Sequence, residues 1–241
     1  MVVLFAALLL LSKWITRHIQ GLGYLLSGDG RVALVLYFLV ILPGVLVHEL
    51  SHAVAALLLW VPVRRFSIGL RSKGKSGQVS LGSVDIADTD ALRSSLIGLA
   101  PLIAGCGITL LIGRHIANVE SLPLFGSPGL WRQVRLAYRT PDFWLWVYLL
   151  LAIGNAMLPS AADRSSWGVA LAFVGFIGAA LYFSGLLEGA FATIARWAAG
   201  TASLLSYAFA ATVAVDLLFA LLLLTVERVL ALLGLGRVQY N

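Results

Sequence analysis

Five stretches of the chain, roughly 32–60, 91–113, 142–159, 167–187 and 203–226, are apolar over about the length a helix needs to cross a bilayer. No other feature constrains the fold as strongly. Inside hydrocarbon every backbone N–H and C=O must find its partner within the protein, so stretches of this kind are helices. A sixth run, 1–20, is apolar up to residue 12 and then meets Lys13, Arg17 and His18. Its basic end can snorkel to the interface, and the run reads as a sixth crossing. It has no basic residues ahead of its apolar core and no small-residue cleavage site behind it, so it reads as a retained segment and not a signal peptide.

Composition agrees. The chain has 241 residues, 60% of them hydrophobic and 12% charged, and its mean hydropathy is +0.95. A soluble domain carries about twice that share of charge. The formal net charge of +6 suggests orientation in a membrane more than nucleic-acid binding, because no basic face interleaved with aromatics is present. The single cysteine, Cys106, excludes an internal disulfide and a cysteine-based zinc site.

Residues 63–86, VRRFSIGLRSKGKSGQVSLGSVDI, break the helical pattern. Phe66, Ile68 and Leu70 alternate, a Gly-rich polar turn follows, and Val79 and Leu81 resume the alternation, which predicts a β-hairpin. Arg64, Arg65, Arg71, Lys73 and Lys75 make this a cytoplasmic segment by the positive-inside rule. Residues 114–141 then fall outside, and their Arg, Trp and Tyr content suits the membrane interface. The expected fold is one integral membrane domain over 1–241: an all-α polytopic protein of about six transmembrane helices, with a small β-hairpin after the second.

The first of the long spans contains LPGVLVHELSHAVAALLLW, residues 42–60. Ionisable groups inside a span are costly and usually functional. His48 and His52 are four apart, so a helix sets both imidazoles on one face, one turn apart. Two nitrogens at that spacing can bind one zinc, and Glu49 can reach the water on that metal as general base. Pro43, next to Gly44 just before the motif, removes its own backbone donor and crowds the Leu39 carbonyl, which predicts a kink in the helix there.

A catalytic zinc takes three protein ligands and keeps one position open. The acidic candidates for the third are Asp163, Glu188 and Asp216. Asp163 follows Pro159 at the end of a span, on irregular backbone that must be buried in protein or line a wet cavity. Asp216 is a lone acid deep in a span, suited to metal binding, proton transfer or pairing with another helix. Glu188 marks a helix end. It would matter in a different metalloprotease class that takes a Glu as third ligand.

HELSH within one span and NAMLPSAAD ending a later one resemble the site-2 protease family of intramembrane zinc metalloproteases. That family has His-Glu-x-x-His in one core helix and an Asn-Pro-Asp-Gly pattern in a later one. Asn155 and Asp163 stand eight apart, as the family's Asn and Asp do. The resemblance implies His48, His52 and Asp163 as ligands of one Zn²⁺ per chain, Glu49 as the base, and Asn155 as a substrate-binding or site-supporting residue. It also implies that the hairpin holds an extended substrate, and GLAPLIAG (98–105) is similar to the family's small-residue helix. The departure is Arg164, where the family has Gly; an arginine there sets up an ion pair that competes for Asp163.

The function expected is therefore hydrolysis of peptide bonds in membrane-spanning protein substrates, with the site near the cytoplasmic face of a prokaryotic inner membrane and the lipid bilayer as surroundings. The alternatives are a divalent-metal transporter, which should carry acids and histidines on several spans, and a non-catalytic scaffold that keeps the fold.

Overall fold

A computed structural model describes residues 1–73, 78–117, 135, 137–185 and 191–233. Six helices and one hairpin follow in chain order: α1 (Val2–Ser27), α2 (Gly30–Leu58), β1 (Val63–Lys73), β2 (Gln78–Ile86), α3 (Ala91–Ala117), α4 (Phe143–Ala156), α5 (Trp167–Phe183) and α6 (Phe191–Leu232). Four of them, α1, α2, α3 and α6, are long and apolar enough to cross a membrane. The expected crossings at 142–159 and 167–187 are shorter apolar helices, of 14 and 17 residues. Glu188 and most of the basic segment 114–141 lie outside the described residues.

The expected uncertain run at 1–20 is a full helix of 26 residues, about 39 Å at 1.5 Å per residue. It ends at Gly28, whose left-handed φ of 68° lets its N–H close back on the Tyr24 carbonyl. Asp29 then caps α2, its carboxylate accepting the Arg31 N–H at 2.7 Å. The two helices fold back on one another with almost no connecting chain.

Helix α2 is the hub, packed on α1, α3 and α4. Its buried residues, Ile41, Val45, Glu49, His52 and Ala56, recur every three or four positions and form one stripe. Leu46, Leu50, Val54 and Leu57 lie exposed on the other side, which suits a lipid-facing surface. Helix α4 is different: the consecutive run Leu150–Gly154 is buried, so the helix is enclosed all round by α2, α3 and α6. Its neighbour α5 buries nothing and packs only lightly, on α3. Enclosure explains how a helix of about 21 Å holds the centre of the bundle.

Gly44 is where α2 and α4 meet. A side-chain carbon there would collide with the Ala152 carbonyl of α4, so glycine sets the separation of the two helices. The hairpin is antiparallel, with Phe66 opposite Val84 and Ile68 opposite Gly82. Between Ile68 and Arg71 the register slips, two residues of β1 facing one of β2, which is a bulge. Val61, Val63 and Ile86 pack on Ala56 and Ile97, seating the hairpin on α2 and α3.

Candidate metal centre

Helical spacing places His48 and His52 on one face of α2, and the structure turns their Nε2 atoms toward each other at 3.2 Å. Asp163 completes the group. Its Oδ1 is 3.1 Å from His52 Nε2 and its Oδ2 is 3.7 Å from His48 Nε2. One donor atom from each of the three lies within 4.8 Å of the others, and among the described residues no second cluster of this kind occurs.

The chain fixes the tautomer of both rings. His48 Nδ1 is 2.7 Å from the Ala156 carbonyl oxygen, and His52 Nδ1 is 2.9 Å from that of Ile97. A carbonyl only accepts, so each Nδ1 carries the hydrogen and donates it. Both Nε2 lone pairs then converge on a carboxylate. Three such atoms facing one another can hold a metal ion, and two imidazoles with one carboxylate are a donor set of the kind found in zinc sites with an open position. The residues present fit the metal the motif implies.

Both carbonyls are available for a physical reason. In an α-helix the Ile97 carbonyl would accept from the N–H of residue 101. Residue 101 is Pro101, inside α3 and fully buried, and it has no N–H. The missing donor leaves Ile97 O for His52. Ala156 is the last residue of α4, where carbonyls have no partner within the helix. The N–H four residues on, that of Ser160, turns instead to Asp163 Oδ2 at 2.6 Å. A helix end and a proline thus supply the two acceptors that aim the histidines. Pro101 stands in the small-residue segment GLAPLIAG, and the expectation for that segment did not include this role.

Asp163 lies on the turn between α4 and α5. Burial pushes its carboxyl up, but the His52 ring beside it and the hydrogen bonds from the Ser160 side chain and the Ser160 N–H outweigh that and hold it down at about 2. A carboxylate that stays ionised at neutral pH is what a metal ligand must be. The turn reaches the histidines because α3 has no side chain at Gly98: a carbon there would strike the Asp163 carbonyl. Arg164 does not compete. Among the described residues it makes no ion pair with Asp163, and its Nε donates to the Ser160 carbonyl at 3.3 Å.

Glu49 is buried, 8% exposed, and lies under the hairpin. A side-chain carbon added at Gly82 of β2 would come 2.6 Å from Glu49 Cγ and 2.7 Å from its Oε1. The strand backbone therefore rests directly on the acid. A cavity of about 900 Å³ opens between this strand, α2, the start of α3 and the end of α4, and His48, Glu49, His52, Asn155 and Asp163 all line it.

Asn155 lines the cavity but does not join the ligands. Its Nδ2 donates to Leu151 O at 2.9 Å and to Asp216 Oδ1 at 2.7 Å. Asp216 is thus placed beside Asn155 and stays out of the ligand cluster. His18 and His115 serve elsewhere: His18 Nδ1 meets Glu227 Oε1 at 2.6 Å between α1 and α6, and His115 lies against Trp146. Compared with known proteins, the chain matches no family model, no curated protein and no solved structure.

Proposed function

We propose that the protein is a zinc-dependent peptidase that cuts membrane-spanning substrates within or near the bilayer, a reading in line with its resemblance to site-2 proteases. One observation carries it: two histidine lone pairs and an ionised carboxylate converge beside a buried glutamate, on a cavity wall, inside a bundle of apolar helices.

His48, His52 and Asp163 hold the ion, one per chain. Zinc bound there supplies an acidified water and polarisation of a carbonyl. Glu49 takes the proton of the attacking water and returns it to the leaving amine, so that proton balance closes within one residue. Ile97 and Ala156 keep the imidazoles in register throughout. Gly82 brings the β2 backbone over Glu49, which limits bulk water around the acid.

A peptide bond in a helix is shielded, so a substrate must be extended to be cut. Among the described residues the sheet has two strands and an unpaired edge on each side, and an edge can take up an extended segment as a further strand. The basic residues of the hairpin support a cytoplasmic orientation of this end of the bundle by the positive-inside rule, with a prokaryotic inner membrane as the setting.

The test is cleavage of single-span peptides in bicelles by the purified, zinc-loaded protein, read by mass spectrometry. Wild type should yield discrete products and Glu49→Gln none, with its zinc retained. Equal products from both would reject the role of Glu49. Intact peptides together with zinc movement into liposomes would replace the reading with transport.

A further inference from the structure

Asp216 is the most deeply buried acid among the described residues, with no exposed surface, and the reaction above does not use it. No Lys, Arg or His among the described residues lies within ion-pair distance of it. An acid in a span with no cation beside it is expensive unless its hydrogen bonds are met. Asp216 Oδ1 accepts from Asn155 Nδ2, but among the described residues Asp216 Oδ2 and Asn155 Oδ1 are both buried without a partner. Both amide hydrogens of Asn155 are already spent, on Leu151 O and Asp216 Oδ1. Two bare acceptors on two bonded side chains lack one shared donor.

A proton on Asp216 Oδ2 is that donor. Turned toward Asn155 Oδ1, it closes a two-bond acid–amide pair and satisfies both oxygens. The neighbouring packing fits such a fixed seam. One helical turn earlier on α6, Thr212 fills the space that a side chain at Gly154 would occupy, so α6 and α4 touch closely at that level. Asn155 is also the residue before Ala156, whose carbonyl aims His48.

We infer that Asp216 is a positioning residue for the metal centre: as a neutral acid it clamps α6 to the end of α4 through Asn155, and so fixes the Ala156 carbonyl that orients His48. This rests on the metal-site reading. The last helix, which carries no ligand, thereby becomes part of the site.

The experiment loads the full chain with Co²⁺ and reads affinity by chelator competition and ligand geometry by the visible absorption of the ion. Asp216→Asn presents an N–H where the acid has its O–H, so it should match wild type in both. Asp216→Leu fills the space without the pair and should weaken Co²⁺ about tenfold, the lower end of what supporting partners contribute, with a changed spectrum. Asn155→Leu should match Asp216→Leu, and the double variant should be no worse. Thermal melting of each variant identifies any that fails to fold, and Asn155→Leu probes the same clamp from the other helix. Wild-type affinity and spectrum in a folded Asp216→Leu would overturn the inference alone. Asp216→Asn behaving like Asp216→Leu would show that the carboxyl itself is needed and would also overturn it. Absence of Co²⁺ and Zn²⁺ binding in wild type would overturn the metal reading and the inference with it.

Discussion

Replacing Pro101 with alanine should separate stability from metal binding, and in opposite directions. Alanine restores an N–H at position 101, within α3, four residues after Ile97. The restored donor claims the Ile97 carbonyl that now accepts from His52 Nδ1 at 2.9 Å. On the helix side, a proline inside a helix costs about 3 kcal/mol, while the ring of this buried residue loses about two methylenes at roughly 0.8 kcal/mol each, leaving α3 more stable by roughly 1 kcal/mol. On the metal side, His52 loses the acceptor that fixes its tautomer. A supporting partner of this kind is worth about 10–100-fold in affinity, or roughly 1.4–2.7 kcal/mol. The variant should therefore melt at or above the wild-type temperature in detergent and bind zinc one to two orders more weakly in a chelator competition. Wild-type zinc affinity in a folded Pro101→Ala protein would refute the argument that a missing helix donor aims His52.

Other predictions follow from close contacts and from charge. Gly82→Ala places a carbon against the Glu49 side chain, which has to move; zinc content should stay at wild type while cleavage of single-span peptides falls about tenfold or more. Gly44→Ala drives α2 away from the Ala152 carbonyl and should destabilise the fold by about 1–3 kcal/mol, read as a lower melting temperature. Arg164→Ala should leave zinc affinity unchanged, since Arg164 bonds to Ser160 O and not to Asp163; a tenfold gain would mean that the arginine does compete. Zinc affinity should fall as the pH drops below about 6.5, where histidines gain protons. Asp163 contributes nothing to that slope. Its folded pKa of about 2 lies below its ordinary value, so its stabilising effect is complete above pH 4 and is lost only as the pH falls through about 2.

Much of the site could be read from residue order because it is local. His48, Glu49 and His52 sit within five residues of one helix, and a helix dictates which face they share. The hairpin at 63–86 was equally legible, since alternation around a Gly-rich turn is a property of the strands themselves; they run from Val63 to Lys73 and from Gln78 to Ile86. Helix ends were less so. The last crossing, expected at 203–226, starts at Phe191, because hydropathy marks the hydrocarbon stretch while a helix continues through Arg196 and Thr201 until something stops it. The expected span 142–159 ends as a helix at Ala156, ahead of Pro159.

What depends on distant chain meeting distant chain was legible only as a set of options. Asp163 and Asp216 were both open as partners of the histidines from residue chemistry alone, and the turn after α4 brings the first to them while α6 carries the second to Asn155. The role of Pro101 could have been found: a proline inside an apolar span frees the carbonyl four residues earlier, and a freed carbonyl in hydrocarbon needs a donor. Which donor it takes is decided by the packing of α2 on α3. Gly98 and Gly82 carry the same lesson. Small residues in a span announce close approach, but the Asp163 turn and Glu49 are what approach them.

The measurement that bears most directly on the central claim is zinc content per purified chain, for wild type, Glu49→Gln and Asp163→Ala. One zinc per chain in wild type and in Glu49→Gln, with loss in Asp163→Ala, is the result expected if His48, His52 and Asp163 are the ligands and Glu49 is not. A wild-type protein without zinc, or an Asp163→Ala variant that keeps its full complement, would contradict the account.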